Sequence, residues 1–209
     1  MSSAITTTSA ARSEEKFLLV LSAASGATDA FAFLCLGKVF AGVMTGNLVL
    51  VGASVGAGDR DVVPRALTAL LGYALGAAGA AVTGSRLAPR SLLAAETLLL
   101  ALVAGGWALG PGRSLGPQLA LLLAAALAMG VQARAWGAPT TYFTGTFTGL
   151  AGRLAKREPE RRDHWAAGRL VAVVAGAAAT SLVAWRWSPG AGAVGAVLCA
   201  AAFAFRPRR

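Results

Sequence analysis

Long apolar runs alternate with short polar or basic stretches along this chain. Six of the runs have about the length that an α-helix needs to cross a hydrocarbon core roughly 30 Å thick. They cover residues 17–36, 66–85, 91–110, 115–134, 166–185 and 189–205. The pattern predicts an all-α, polytopic transmembrane bundle of about six spanning helices. Residues 1–15 are predicted to be a flexible polar tail, and residues 16–209 a single transmembrane domain.

Two shorter segments, residues 39–57 and 138–155, differ in character from these runs. Both are rich in glycine and in polar side chains, and they carry Thr45-Gly46-Asn47 and Thr144-Gly145-Thr146. Each segment is either a short span or a re-entrant half-helix. We favour six spans with two re-entrant segments, because irregular backbone at membrane depth is tolerated only inside protein or around a water-filled cavity.

The order of these features repeats along the chain. Thr45-Gly46 precedes Thr144-Gly145 by 99 residues, and Gly76 precedes Gly176 by 100. The repeat predicts two related halves, at about residues 17–110 and 115–206. Halves with three spans each must be inverted relative to one another, as in many secondary carriers, whereas halves with four spans would be parallel.

The composition favours lipid over water or nucleic acid as the surroundings. Hydrophobic residues make up 56% of the chain and charged residues only 13%, about half of what a soluble domain carries. The net charge of +10 does not indicate nucleic-acid binding, because the basic residues lie at helix ends and in loops. With six spans or with eight, 14 of the 19 Lys and Arg residues fall on one side. This bias predicts a cell-membrane protein with both termini in the cytoplasm.

Asp29 is the most informative polar residue, since it lies inside the first apolar run. Intramembrane acids often mark ion or proton paths, but an acid here could equally accept backbone N–H groups from a broken helix. A second acid, Glu96, is expected to reach the headgroups or to pair with Arg86 or Arg90. A candidate solute or ion pathway lies near the two Thr-Gly segments. It comprises Asp29, Thr45, Gly46, Asn47, Gln132, Thr144, Gly145 and Thr146.

The sequence offers no pattern typical of catalysis or of metal binding. Cys35 and Cys199 lie in apolar segments, where a cysteine is usually a small buried hydrophobe. The single histidine, His164, lies in a charged loop. No phosphate-binding loop, zinc-ligand spacing or nucleophile elbow occurs. We therefore expect no enzyme activity, no cofactor and no metal.

Four short motifs resemble those of the YoaK family of bacterial membrane proteins, a family of unknown function with about six spans. They are Gly26-Ala27-Thr28-Asp29-Ala30, Met44-Thr45-Gly46-Asn47, Met129-Gly130-Val131-Gln132 and Thr141 with Thr144-Gly145-Thr146. Ala133 departs from the family, which tends to have asparagine there, so a polar pair with Gln132 is in doubt. The resemblance implies a membrane protein and no particular activity.

Two functions fit these observations. The first is a small-solute or ion transporter with a polar site near the membrane midplane, in which Asp29 is the coupling group. The alternative is a non-transporting membrane scaffold or lipid-interacting protein, in which Asp29 is a structural contact. The predicted partners are the lipid bilayer and an unidentified small solute or ion; nucleic acid is excluded, and a homo-oligomer stays open.

Overall fold

The computed structural model describes residues 2–84, 86, 88–110, 114–136, 143–160 and 162–205, and of residues 2–11 only the backbone. Within these residues the chain is a bundle of eight α-helices and has no strands. The helices are α1 (Ser2–Cys35), α2 (Met44–Ala57), α3 (Val62–Thr83), α4 (Pro89–Ala108), α5 (Leu115–Ala135), α6 (Phe143–Lys156), α7 (Asp163–Arg186) and α8 (Ala193–Ala202). Short 3-10 turns at Ser188–Gly190 and Phe203–Phe205 extend α8 at both ends.

Six helices among the described residues are long and apolar enough to cross a membrane, which confirms the predicted bundle. They are α1 from Arg12 onward, α3, α4, α5, α7, and α8 with its flanking turns. The two Thr-Gly segments form α2 and α6, each only 14 residues long. Helix α1 begins at Ser2, so its backbone is already helical where the sequence predicts a flexible tail.

Helix directions show how many times the chain crosses. Along α4, Thr97 contacts Cys199 and Trp107 contacts Ser188, so α4 and α8 are antiparallel. Helix α1 is also antiparallel to α8, since Ser13 meets Phe205 while Thr28 lies beside Gly195. Helices α1 and α4 therefore point the same way. Successive spans point in opposite directions, so a single crossing must lie between α1 and α4. Helix α3 makes that crossing, and α2 therefore enters and leaves on the same side of the membrane.

The same reasoning applies to the second half of the chain. Helix α7 is parallel to α1, because Glu15 faces Arg169 and Ala23 faces Gly176. Helix α5 is parallel to α3, because Gly72 meets Leu123 and Gly76 meets Leu127, and it therefore points opposite to α7. No crossing lies between α5 and α7, so α6, like α2, enters and leaves on the same side of the membrane. Six spanning helices and two short returning helices account for the described chain.

The closest helix contacts are made where glycine replaces a side chain. A Cβ at Gly76 would overlap the Leu127 carbonyl oxygen of α5, and a Cβ at Gly130 would overlap that of Tyr73 in α3. The α1–α7 pair has contacts of the same kind, in which Gly176 meets the Ala23 oxygen and Gly26 meets that of Val173. Gly176 and Val173 lie 100 residues after Gly76 and Tyr73, and Gly26 and Ala23 lie 104 residues before Gly130 and Leu127. The two helix pairs therefore pack by the same contacts.

The outer faces of the long helices carry large apolar side chains. On α3 these are Leu67, Leu71, Leu75 and Val82, and on α7 they are Val171, Val174 and Leu182, all more than half exposed. In water so broad an apolar surface would drive association. In a bilayer it is the lipid-facing surface, as expected of a multi-pass membrane protein.

Candidate functional site

The first turns of the two short helices line one cavity. Its volume is about 360 Å³, and both Thr45 of α2 and Thr144 of α6 face it. The remaining lining residues are Gly42, Val43, Met44, Tyr73 and Gly145. Tyr73 lies halfway along the spanning helix α3 (Val62–Thr83), so the cavity is at about half the depth of the bundle. Because Thr45, Thr144 and Gly145 are exposed, the cavity opens at the outer surface of the bundle. The two Thr-Gly motifs, 99 residues apart in sequence, are thus brought to the same place.

The loop before α2 owes its shape to two polar side chains. Asp29 accepts a hydrogen bond of 2.7 Å from the Gly42 N–H, and it also faces the N–H groups of Ala41 and Val43. These groups precede the first turn of α2 and have no intrahelical partner. Asp29 therefore acts as the acceptor for an interrupted helix, which is one of the two roles considered for it. Because Gly42 lines the cavity, the carboxyl group supports the cavity wall from behind.

Asn47 holds the same loop through hydrogen bonds to the backbone of Phe40. Its Oδ1 accepts from the Phe40 N–H at 2.9 Å, and its Nδ2 donates to the Phe40 carbonyl oxygen at 2.7 Å. The side chain is fully buried, and it uses both of its polar atoms on one backbone residue. Gly46 lies against Phe40 and Val43, where a Cβ would be about 3.2 Å from the Phe40 ring. Both residues thus shape the loop, and neither is among the residues that line the cavity.

The remaining predicted site residues occupy different places. Gln132 is fully buried in α5 and donates to the Leu21 carbonyl oxygen of α1 at 3.0 Å, while its own Oε1 has no hydrogen-bond partner among the described residues. Gly145 lines the cavity and Thr146, one residue further along α6, does not. Thr140 and Thr141, which precede α6, lie outside the described part of the chain. Thr45, Thr144 and Gly145 are therefore the predicted residues that meet at the cavity.

Sequence patterns did not identify two features of this region. Tyr73 lines the cavity, yet in the sequence it is simply an aromatic residue in an apolar helix. Glu96, expected to reach the headgroups or an arginine, is fully buried in α4 and forms no ion pair within the described residues. The helical position of Glu96, in register with Leu92 and Leu100, was the available signal for an inward-facing side chain.

Comparisons with known proteins agree with the membrane assignment. The family described as "Protein of unknown function (DUF1275)" matches residues 17–205. The UPF0700 transmembrane protein YoaK of Bacillus subtilis (strain 168) is 30% identical over 161 residues, which cover 71% of this chain and 70% of that protein. No solved structure matches the chain. The resemblance to YoaK-like proteins that the sequence motifs indicated is confirmed.

Proposed function

The chain belongs to the DUF1275 family, and we propose that within the membrane it is a carrier for a small polar solute or ion. One observation carries the proposal, namely that both short helices begin at the same cavity, at about half the depth of the bundle. In secondary transporters, interrupted helices typically form the substrate site at the midplane, between related halves. A volume of about 360 Å³ is in the range of small-molecule sites, roughly 300–1,000 Å³.

The chemistry of the cavity wall narrows the class of solute. Thr45, Thr144 and Tyr73 carry hydroxyl groups, and Gly145 leaves its backbone exposed at the cavity. The described lining carries no charged side chain. Hydroxyls can both donate and accept hydrogen bonds, so the site suits an uncharged polar solute or a single small ion. A multiply charged metabolite would find no counter-charge there.

We further propose that the chain consists of two related halves in inverted orientation, with the cavity between them. The support is the matching of contacts, since Gly76 and Gly176 each pack on a carbonyl oxygen at corresponding positions, Leu127 and Ala23. Each half then contributes three spans and one short helix. Transport would follow from a rocking of the α3–α5 pair against the α1–α7 pair, because close glycine contacts hold each pair together. This movement would open the cavity to each side in turn.

The proposed orientation, with both termini in the cytoplasm of a cell-membrane protein, leads to a labelling prediction. A cysteine replacing Arg60, between α2 and α3, is expected to react with a membrane-impermeant maleimide from outside the cell. A cysteine replacing Arg86, between α3 and α4, is expected to react only from the inside. The background should lack Cys35 and Cys199. The reversed pattern would overturn the orientation, and labelling of both positions from the same side would refute a crossing by α3.

Solute binding is tested by replacing the threonines with valine, which keeps the shape and removes the hydroxyl. Purified protein is screened for thermal stabilisation by sugars, polyols, neutral amino acids, nucleobases and alkali-metal salts, because a bound solute raises the unfolding temperature by mass action. The stabilising solute is then followed into proteoliposomes. We expect Thr45→Val and Thr144→Val each to weaken its binding about tenfold, the effect of losing one hydrogen bond of roughly 1.4 kcal/mol.

Thr83→Val is the matched control, since the Thr83 hydroxyl bonds only to the Gly79 carbonyl oxygen of its own helix. It is expected to bind and transport as the wild type does. If a solute is transported and the flux is the same in all three variants, the cavity is not its site. If none of the screened solutes stabilises the protein or crosses the membrane, the non-transporting scaffold becomes the better explanation.

A further inference from the structure

Helix α4 turns one face into the bundle, and an acid lies in the middle of that face. Its buried residues are Leu92, Leu93, Glu96, Leu100 and Val103. The side chain of Glu96 is 0% exposed. It lies seven residues after Pro89, the first residue of α4, which corresponds to about 10 Å along the helix. Glu96 is therefore well inside the hydrocarbon region, too deep for its carboxyl group to reach the headgroups.

The Glu96 carboxyl group has no partner. Both of its oxygen atoms are buried and lack a hydrogen bond within the part of the chain that is described. The Cys199 thiol of α8 faces the carboxyl group without forming a hydrogen bond of ordinary geometry. Cys199 itself contacts the Thr97 hydroxyl at 3.2 Å. This small polar cluster lies in the interface between α4 and α8.

Among the described residues, no cation compensates the acid from the elements that pack most extensively on α4, which are α5, α8 and the turn Ser188–Gly190. The charged or titratable residues on these elements are Arg134, in the last turn of α5, and Cys199. Helix α1 also touches α4, where Phe31 packs on Trp107, and the titratable residue near that contact is another acid, Asp29. Arg134 is exposed, as is Arg90 at the start of α4 itself. A carboxylate without a counter-charge in an apolar interior costs several kcal/mol. While α4 and α8 are in contact, Glu96 therefore carries its proton.

We propose that Glu96 is a reversible proton-binding site whose occupancy is coupled to the separation of α4 and α8. In the closed interface the carboxyl group is neutral. When the helices part, water enters, the O–H bond breaks heterolytically, the proton passes to water, and a hydrated carboxylate remains. Closing the interface takes a proton back from water. No electron is transferred, and no other reactant is needed.

The position of Glu96 connects this equilibrium to the carrier. Helix α4 packs on α5 and α8 packs on α1, so these two antiparallel helices meet where the α3–α5 pair adjoins the α1–α7 pair. Because a ligand shifts a conformational equilibrium by its differential affinity for the two states, a proton that binds only the closed interface biases the rocking of the two helix pairs. This last step rests on the proposed carrier function, whereas the proton site does not. On this view the coupling group is Glu96, and Asp29 supports the cavity wall.

The proton site can be measured without any solute. Full-length protein in lipid nanodiscs is examined by infrared spectroscopy for the C=O stretch of a protonated carboxyl group while the pH is raised. We expect a band that persists above the pH at which the surface carboxyl groups have ionised and that disappears reversibly in the wild type as the pH is raised further. In that pH range the band should be missing from Glu96→Gln. Asp29→Asn is the matched control among the intramembrane acids, and it should retain the band.

Opening of the interface is followed at Cys199 in a Cys35→Ser background. We expect the rate of Cys199 modification by a small membrane-permeant thiol reagent to rise as the infrared band is lost. In Glu96→Gln, which cannot ionise, the rate at high pH should be about tenfold lower, the population change produced by roughly 1.4 kcal/mol. The wild type and Glu96→Gln are compared at the same pH, so that the direct effect of pH on the thiol does not enter the comparison.

The outcomes separate the two proposals. A wild-type band that persists over the whole range in which the protein stays folded, with constant Cys199 reactivity, overturns the proton site and leaves the carrier standing. The infrared measurement uses no solute, so its result for Glu96 is independent of whether the threonine variants lose solute flux. If Glu96→Gln fails to fold, the wild-type measurements still decide the question, because a pH-independent band and a pH-independent interface would each contradict the proposal.

Discussion

Gly76→Leu and Gly176→Leu are each expected to destabilise the folded protein by about 3 kcal/mol or more, at the upper end of overpacking effects. Each glycine lies directly against a carbonyl oxygen of a neighbouring helix, Leu127 for Gly76 and Ala23 for Gly176. A side chain there meets backbone, which cannot rotate aside as a flexible side chain can. The helix pair has to move apart, and the contacts along its whole length are then lost.

The measurement is reversible unfolding in mixed detergent micelles, followed by circular dichroism. Gly79→Leu is the matched control on α3, because Gly79 has no heavy atom near its missing Cβ and faces outward. It is expected to change the free energy of unfolding by less than about 1 kcal/mol, close to a propensity effect alone. Wild-type stability in Gly76→Leu would contradict the close packing of α3 on α5.

The pair of variants also tests whether the two halves are equivalent. Gly76 and Gly176 lie in different helix pairs and share no contact partner, so their effects on stability should add. If the halves pack alike, the two single variants should have similar effects. A large effect at one site with almost none at the other would count against the two-half organisation.

The positions of the spanning helices could be predicted from the sequence, because long apolar runs mark the segments that lie in lipid. The six spans follow from run length, and the short polar segments 39–57 and 138–155 were correctly distinguished from them. The pairing of the helices could not be read in this way. Helix α1 packs on α7, and α3 on α5, through Gly26, Gly176, Gly76 and Gly130. Any small-residue stripe would suit several partners, so composition alone does not select one.

The candidate site was only partly predictable for a similar reason. The spacing of Thr45 and Thr144 indicated that the two motifs are equivalent, but their meeting at one cavity depends on how the short helices return into the bundle. The partner of Asp29 is a backbone N–H at Gly42, 13 residues later, which no side-chain pattern encodes. The inward orientation of Glu96 was signalled only by its register with Leu92 and Leu100. Leucines also lie on the outer face of α4, at Leu98 and Leu102, so hydropathy alone did not show which face turns inward.

Asp29→Ala is expected to lower the free energy of unfolding by about 1–2 kcal/mol, since it removes the acceptor of a part-buried hydrogen bond. The Gly42 N–H would then lose its side-chain acceptor in the wall of the cavity. Asn47→Ala is expected to have a comparable effect, because it leaves both polar backbone groups of Phe40 unpaired. Asp59→Ala is the control; Asp59 is exposed and bonds only to the Asp61 N–H in a surface turn.

Asp29→Asn separates the structural role of this residue from a role in coupling. Asparagine keeps an oxygen that can accept from the Gly42 N–H but cannot carry a titrating proton. If Asp29 serves as the N–H acceptor, this variant should lose less than half of the stability that Asp29→Ala loses, and a transported solute should keep its pH dependence. If instead Asp29→Asn folds normally and the pH dependence of transport disappears, Asp29 is the proton-carrying group. The coupling role assigned here to Glu96 would then have to be given up, whereas the proton site at Glu96 would still be decided by the infrared measurement, because that measurement does not depend on transport.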